Sequence, residues 1–432
     1  MRTFRLAILI GAVVLAGGAF AQETLRLSLE EAQNYALEYN KQVENAALSV
    51  EQAQKKINES ISSFLPQAEV AMDYSNFMGA EMEFRFNEAL PPQTIPFKPT
   101  SNLYFNLSQM IFSGNFIVGL QMVKIYKEME GTNYLKTGQD IRELVTRSYH
   151  GALVSDLTID IIRENIENTR KIFNNTEAMV SVGMAEKLDL DQLEVQQSSL
   201  ENALKSAERQ RELSYNLLRF QLGVKAGTPL ELTDSLDYFL ENFDFTGILN
   251  QEFTIDQNLD YKLMLIQERL SEKQVGLQKM NFLPTLNGFY SHTNKILKSD
   301  FDLSPKNVIG LNLNIPIFSS GMRIAQMNQA KIELEKTQNN KILLEEQLSI
   351  TGKQLRYNLA NAIDQYLNRK KNADVALRIY QDYQFRYEQG IASSLDLNLS
   401  NNNYLQAVSD YVQSIITLLN ARLDLQKLMN TL

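Results

Sequence analysis

The chain has 432 residues, no cysteine, two histidines and a formal charge of −9. Without cysteine there is no disulfide framework, no thiolate metal site, no thiol nucleophile and no acceptor for an N-terminal lipid. His150 and His292 stand far apart without neighbours at ligand spacing, and the acidic balance speaks against nucleic acid as a partner. No nucleophile, base and metal ligands fall together, so neither an enzyme nor a bound metal or cofactor is expected.

Arg2 and Arg5 precede an apolar run over residues 6–16, and Ala19-Phe20-Ala21 follows it. This is the pattern of a cleaved secretory leader, residues 1–21. Its removal leaves 40 basic against 51 acidic residues, a charge of −11. Beyond it no segment approaches the roughly 18 consecutive apolar residues of a membrane-spanning helix. Any membrane crossing is therefore expected to use strands.

Ser28-Leu29-Glu30-Glu31 places a hydroxyl at a helix cap and a glutamate three residues on, the signature of a capping box. A helix is expected over 42–64, stopped by Phe64-Leu65-Pro66. A strand follows at about 67–77, where Ala68, Val70, Met72 and Tyr74 alternate with Glu69, Ala71, Asp73 and Ser75. Its partner is placed at about 102–112, and residues 76–101, with four prolines, read as a surface loop. Phe112-Ser113-Gly114 then leads into a proline-free stretch, 117–182, with the composition of a helix about 100 Å long. Gly119, Gly131, Gly138 and Gly151 are the points at which it could break. Gly183 ends it, a second helix is expected over 188–222, and residues 224–253 read as a non-helical linker at mid-height.

The same order then returns. Thr254-Ile255-Asp256-Gln257 repeats the capping box, Phe282-Leu283-Pro284 repeats the helix stop, and Phe318-Ser319-Ser320-Gly321 repeats the strand exit. Strands are expected at about 285–294 and 307–317, where Ile309, Leu311, Leu313 and Ile315 alternate with Gly310, Asn312 and Asn314. A long helix over 323–389 contains only Gly352. Gly390 is followed six residues later by Asp396-Leu397, as Gly183 is by Asp189-Leu190. Leu405, Val408, Val412, Ile415 and Leu419 form a helical seam beyond. Four landmarks in one order, twice, define a duplicated unit over 22–223 and 254–432, with Pro66 and Pro284 at strand starts and Gly114 and Gly321 at strand exits.

The alternation in the strands fits a half-buried soluble sheet as well as a membrane wall. Four strands cannot close a barrel that needs about eight, and open strand edges cannot face lipid. If the strands span a membrane, several chains must share one barrel, and three would supply twelve strands. The expected fold is therefore mainly α with a small β part, built from long antiparallel helical hairpins and four strands per chain.

Together these landmarks resemble the outer membrane efflux protein family of TolC type, over nearly all of the chain beyond the leader. The resemblance implies a homotrimer in the outer membrane of a Gram-negative bacterium, with a shared twelve-stranded β-barrel and an α-barrel crossing the periplasm. It also implies a periplasmic adaptor and an inner membrane transporter as partners. In that family carboxylate rings narrow the periplasmic tip and polar bonds hold it shut. Asp396 falls on the first ring carboxylate and Tyr387 on a tyrosine that can bond in the closed state, while Ala392 and Leu399 stand where an arginine and a second aspartate are usual. Lys41 after Asn40 replaces the family's Asn-Pro.

A ring of Asp396 would favour cations. Equally, Asp396 could serve the start of the returning helix, as Asp189 could in the first copy. Gly183 and Gly390 are expected in a left-handed conformation, and the turns carrying Gly183, Met184 and Ala185, and Gly390, Ile391 and Ala392, present small and apolar residues suited to an adaptor. The main expectation is the exit duct of a tripartite efflux pump. A type I protein secretion component and a surface-anchored coiled-coil scaffold are the alternatives.

Overall fold

The Ser28 hydroxyl accepts a hydrogen bond from the Glu31 amide at 3.3 Å, and the Glu31 carboxylate accepts one from the Ser28 amide at 2.8 Å. This reciprocal cap opens the first helix as its sequence requires. The structure is a computed structural model that describes residues 24–85, 91–241, 244–298 and 304–432. The leader expected over 1–21 lies outside the described residues.

The first half of the chain runs β1 (Leu25–Leu27), α1 (Leu29–Tyr39), α2 (Lys41–Ser62), β2 (Gln67–Ser75), β3 (Glu81–Phe84), β4 (Gln93–Pro96), β5 (Thr100–Phe112), α3 (Gly114–Ser181) and α4 (Lys187–Leu222). After β6 (Leu230–Leu232), α5 (Leu236–Glu241) and α6 (Phe245–Asn250) come α7 (Leu259–Met280), β7 (Thr285–Leu297), β8 (Asn307–Asn314), α8 (Met322–Glu388) and α9 (Ser394–Leu428). The four principal strands and the long helices fall near where alternation and proline spacing put them, with β7 running on to Leu297 and β8 stopping at Asn314, short of Ile315. α3 runs unbroken for 68 residues, about 100 Å, through all four of its interior glycines.

Three expectations are corrected. Thr254 makes no side-chain cap, because a short 3₁₀ turn over Ile255–Gln257 intervenes. The cap of α7 is Asn258, whose side chain accepts from the Asp260 and Tyr261 amides. Residues 224–253 are not devoid of regular structure, since they hold β6, α5 and α6. The loop between the first two long strands contains the β3–β4 hairpin, in which Met82 faces Ile95 and Pro96 ends β4, a place where a proline does not interrupt a ladder.

The chain gathers into two compact units, one drawing on residues up to Asn40, Leu144–Asp244 and Asn368–Ile416, the other on Lys41–Glu143, Phe245–Leu367 and Thr417–Leu432. In the first, β1 pairs in parallel with β6, Leu25 opposite Leu230. Asp234 fixes this pair, because its carboxylate takes the Leu29 amide at 2.7 Å and the buried Tyr149 hydroxyl at 3.1 Å. The same hydroxyl reaches the Leu27 carbonyl at 3.1 Å. Burial raises the Tyr149 phenol well above its ordinary pKa, so it stays a donor.

Between α1 and α2, Asn40 is extended and buried, and its side chain donates to the Gln221 carbonyl at 2.7 Å. Two residues on, α4 ends at Gly223 with φ +75, and a Cβ there would sit 2.6 Å from the Tyr39 carbonyl oxygen. Here the glycine meets two demands, a left-handed backbone and a close approach.

In the second unit the two repeats meet where helix passes to strand. Phe64 stacks on Phe116 at 4.6 Å, and a Cβ on Gly114 would press on Met280 and Leu283 at 2.9–3.2 Å. The Asn115 side chain donates to that of Asn281 at 2.7 Å. Lys341 meets Glu268 at 2.7 Å, and Ser271 bonds Thr337 at 3.1 Å, tying α7 to α8.

Alanine at Gly223 should cost more than about 2 kcal/mol of stability, since it adds a backbone clash to the left-handed penalty. At Gly183, with φ +76 and open space around it, the cost should be about 1 kcal/mol. Denaturant unfolding of the two purified variants against the parent measures the difference.

Candidate functional site

The four-stranded sheet has the order β2-β5-β7-β8, all antiparallel, so the second strand of the first repeat pairs with the first strand of the second and leaves β2 and β8 as edges. Register decides what each face presents. Val70 lies opposite Phe105 and Met72 opposite Leu103, while Leu107 faces Tyr290, which faces Ile309. That face is apolar and open, with Val70 67% and Ile309 85% exposed.

The other face is polar. Asn106 donates to Glu69 at 3.3 Å and accepts from Ser291 at 2.7 Å, and Asn287 pairs with Asn312. Ala71, Met110, Val308 and Phe289 are apolar members of it, and the Phe289 ring covers Gly310, where a Cβ would meet it at 2.7 Å. A glycine opposite an aromatic lets the ring lie flat on the strand.

His292 bonds Asn307 at 2.6 Å on the apolar side, where Tyr290 also donates to Asn307 at 3.0 Å. Both histidines serve packing or hydrogen bonding, since His150 packs edge-on against Phe239. Among the described residues no group of three or more His, Cys, Asp and Glu is placed to hold a metal, and no helix is long and apolar enough to cross a membrane.

The first unit carries the two glycine turns. α3 ends as Gly183 donates to Val180 at 3.0 Å and Met184 to Met179 at 2.8 Å, and α8 ends as Gly390 donates to Tyr387 at 2.9 Å and Ile391 to Arg386 at 2.8 Å. Both glycines have positive φ, +76 and +71, the left-handed ending that lets the chain reverse. Met184 and Ile391 are each 75% exposed, and Leu399 is open as well, while Ala185 is half-buried.

Asp396 exchanges hydrogen bonds with Ser393, accepting from its hydroxyl at 2.7 Å while the Asp396 amide donates to that hydroxyl at 3.2 Å. Asp189 takes the Glu186 amide at 3.2 Å and also the Ser394 hydroxyl of the other repeat. Gln192 adds a bond from Asn398 at 3.2 Å. Asp189 therefore ties α4 to α9 as well as starting its own helix.

Tyr387 points inward. Its hydroxyl meets Thr176 at 2.9 Å, and the ring is buried with Ile172, Leu193, Tyr380 and Leu397, against which Ala392 packs. Burial raises its phenol above the ordinary pKa. Thr176, Gln192, Ser394 and Asn398 escaped sequence reading, because small polar residues in long helices carry no pattern that separates a buried link from a solvated one.

A sequence model described as "Outer membrane efflux protein" matches residues 33–224 and 254–431. Among solved structures, the chain is similar to the CmeC outer membrane channel of Campylobacter jejuni, 20% identical, with a TM-score of 0.70 over 93% of this chain and 85% of that one. It is similar to the outer membrane protein VceC of Vibrio cholerae, 14% identical, with a TM-score of 0.72 over 93% and 95%. For CusC the identity is 15% and the TM-score 0.75 over 94% and 93%. The Proteases secretion protein PrtF of Dickeya chrysanthemi is 24% identical over 182 residues, 40% of this chain. The match spans about a third of the length of that curated relative, 35%. With nearly all of both repeats inside the family model, and the same fold in the solved channels, the chain belongs to the outer membrane efflux protein family.

Proposed function

We propose that three copies of the chain close their sheets into one twelve-stranded barrel in the outer membrane and form the exit duct of a tripartite efflux pump. The observation that carries this reading is a four-stranded sheet with an open apolar face and two unpaired edges. A bilayer accepts the face and forbids the edges, and joining β8 of one copy to β2 of the next removes them all.

The apolar band also slants. From the row that joins Ala68, Leu107, Tyr290 and Ile309, the apolar positions of β2 continue through Val70 to Tyr74, whereas those of β8 continue the opposite way, through Leu311 and Leu313. A flat slab of lipid crossing tilted strands leaves such a trace. The polar face, with Asn106, Asn287 and Asn312, becomes the wall of an aqueous lumen.

In this reading the Gly183 and Gly390 turns are the periplasmic tip, where Met184 and Ile391 meet an adaptor, and Asp396 borders the opening. An inner membrane transporter supplies energy and chooses the cargo, and the duct does no chemistry of its own. The likeness to PrtF supports a second reading, an outer membrane component of a protein secretion system.

Because the chain has no cysteine, cysteine pairs scanned along β2 and β8 test the shared barrel cleanly. Oxidation in membranes is expected to yield covalent trimers at one register, and monomers at every register would remove the model. Purified protein in a planar bilayer should give cation-selective openings, with selectivity reduced in Asp396→Asn; unaltered selectivity in that variant would assign Asp396 to its helix start alone. Gly390→Trp should lower crosslinking to a co-expressed adaptor at least severalfold, through its left-handed backbone and added bulk.

A further inference from the structure

The two repeats share a pairing rule. With Pro66 set on Pro284 and Phe112 on Phe318, the landmarks that bracket the strands, Gln67 falls on Thr285 and Ser108 on Asn314. Gln67 is paired with Ser108 and Thr285 with Asn314, so one register serves both hairpins. β5 and β7 supply a second rule, for the second strand of one repeat against the first strand of the next. There Phe105 lies opposite His292, Leu107 opposite Tyr290 and Gln109 opposite Gly288. At the free edges, β8 is again a second strand, and β2 of another copy is again a first.

We infer that β8 meets β2 of a neighbouring copy in this same register, with Leu311 opposite Tyr74, Leu313 opposite Met72 and Ile315 opposite Val70. The inference rests on the shared barrel proposed above and fixes which residues form its seams. The outward apolar run of β2 then lies beside the inward run of β8, and the slanted band continues from copy to copy.

The end of β8 is unfinished in a way that this seam completes. Ser108 is the last residue of β5 that β2 reaches, yet β5 runs on to Phe112, and from Gln109 onward its partners are on β7. β8 stops at Asn314, the equivalent of Ser108, and Ile315, Ile317 and Phe318 beyond it are exposed. What this segment lacks is the strand that β7 provides to β5. In the neighbour's β2 it finds that strand, and β8 lengthens toward Phe318.

The backbone agrees. Alternate residues of an antiparallel strand turn both amide and carbonyl to the same neighbour. The Lys306 carbonyl accepts from the Thr293 amide at 2.7 Å, so even-numbered residues of β8 face β7, and Leu311, Leu313 and Ile315 face the open edge. By the same alternation Pro316 turns its missing N–H away from the seam, where it interrupts no ladder. On β5 the Asn102 amide reaches toward β2, to the Asp73 carboxylate at 3.0 Å. Asp73, opposite Asn102, therefore pairs inward, and Val70, Met72 and Tyr74 face the other open edge. The register brings free groups to free groups, whereas a slip of one residue would set the apolar side of one strand against the polar side of the other.

The absence of cysteine allows a direct test in membranes. In this register Asn312 stands opposite the neighbour's Asp73 on the lumen side, as a pair without mutual backbone bonds, where Cα atoms approach to about 4.5 Å, within disulfide range. On oxidation, Asn312→Cys with Asp73→Cys should give about fivefold more covalent trimer than Asn312→Cys with either Ala71→Cys or Ser75→Cys. Equal yields, or a higher yield at Ala71 or Ser75, overturn the register and leave the shared barrel standing. So do crosslinks found only at other positions of β2. Monomers throughout remove the shared barrel, and the register with it. Because Asp73 also holds the Asn102 amide, Asn314→Cys with Ala71→Cys, compared with Asn314→Cys and Glu69→Cys, reads the register without disturbing it. Both sets should report the same pairing, and disagreement between them overturns the inference.

Discussion

A backbone amide in hydrocarbon has no water to bond, and a four-stranded sheet leaves a row of such groups on each of two edges. Much else in the molecule follows from that constraint. The sheet draws two strands from each repeat, and β5 and β7 join the repeats at its centre, so each edge strand belongs to a different repeat. A chain built this way can extend its sheet by meeting another copy of itself, first repeat to second, without any new kind of pairing. In the proposed trimer, duplication of the sequence and completion of the wall are two sides of one solution.

The long helices obey a different rule. The buried positions of α3 and α8 mix Ile, Val and Leu with Tyr, Thr, Asn and Ala rather than keeping to a leucine stripe. Such helices bind through modest contacts and specific hydrogen bonds, as with Thr176 and Tyr387 or Arg369 and Asp410 at 2.7 Å. Exposed ion pairs of the second kind contribute little each. Stability is therefore distributed along the rods, and local layers can differ in firmness without unfolding their neighbours.

How much of this was legible in the sequence depended on the range of the interactions. Ile309, Leu311 and Leu313 announce a strand because each residue's neighbours at two steps suffice to set the pattern. Gly183 and Gly390 announce a reversal because left-handed φ is a property of one residue. β1 and β6 give no such signal, being three residues each and defined by one another. Thr254 matches a capping box as well as Ser28 does, yet the helix begins one turn later at Asn258, because the intervening 3₁₀ turn moves the first open amides. At the turns, Asp396 with Ser393 is a local bond and could be read ahead. Asp189 with Ser394 spans 205 positions, and no local pattern reaches that far.

The clamp formed by β1, β6, Tyr149 and Asp234 also has a meaning in time. Leu29 waits for Asp234, 205 positions further on, before its amide finds its carboxylate. Contacts so distant in sequence are slow to form, because a long loop must close first. During synthesis and export the N-terminal segment therefore emerges early and docks late. For that interval its strand edge is open to other chains.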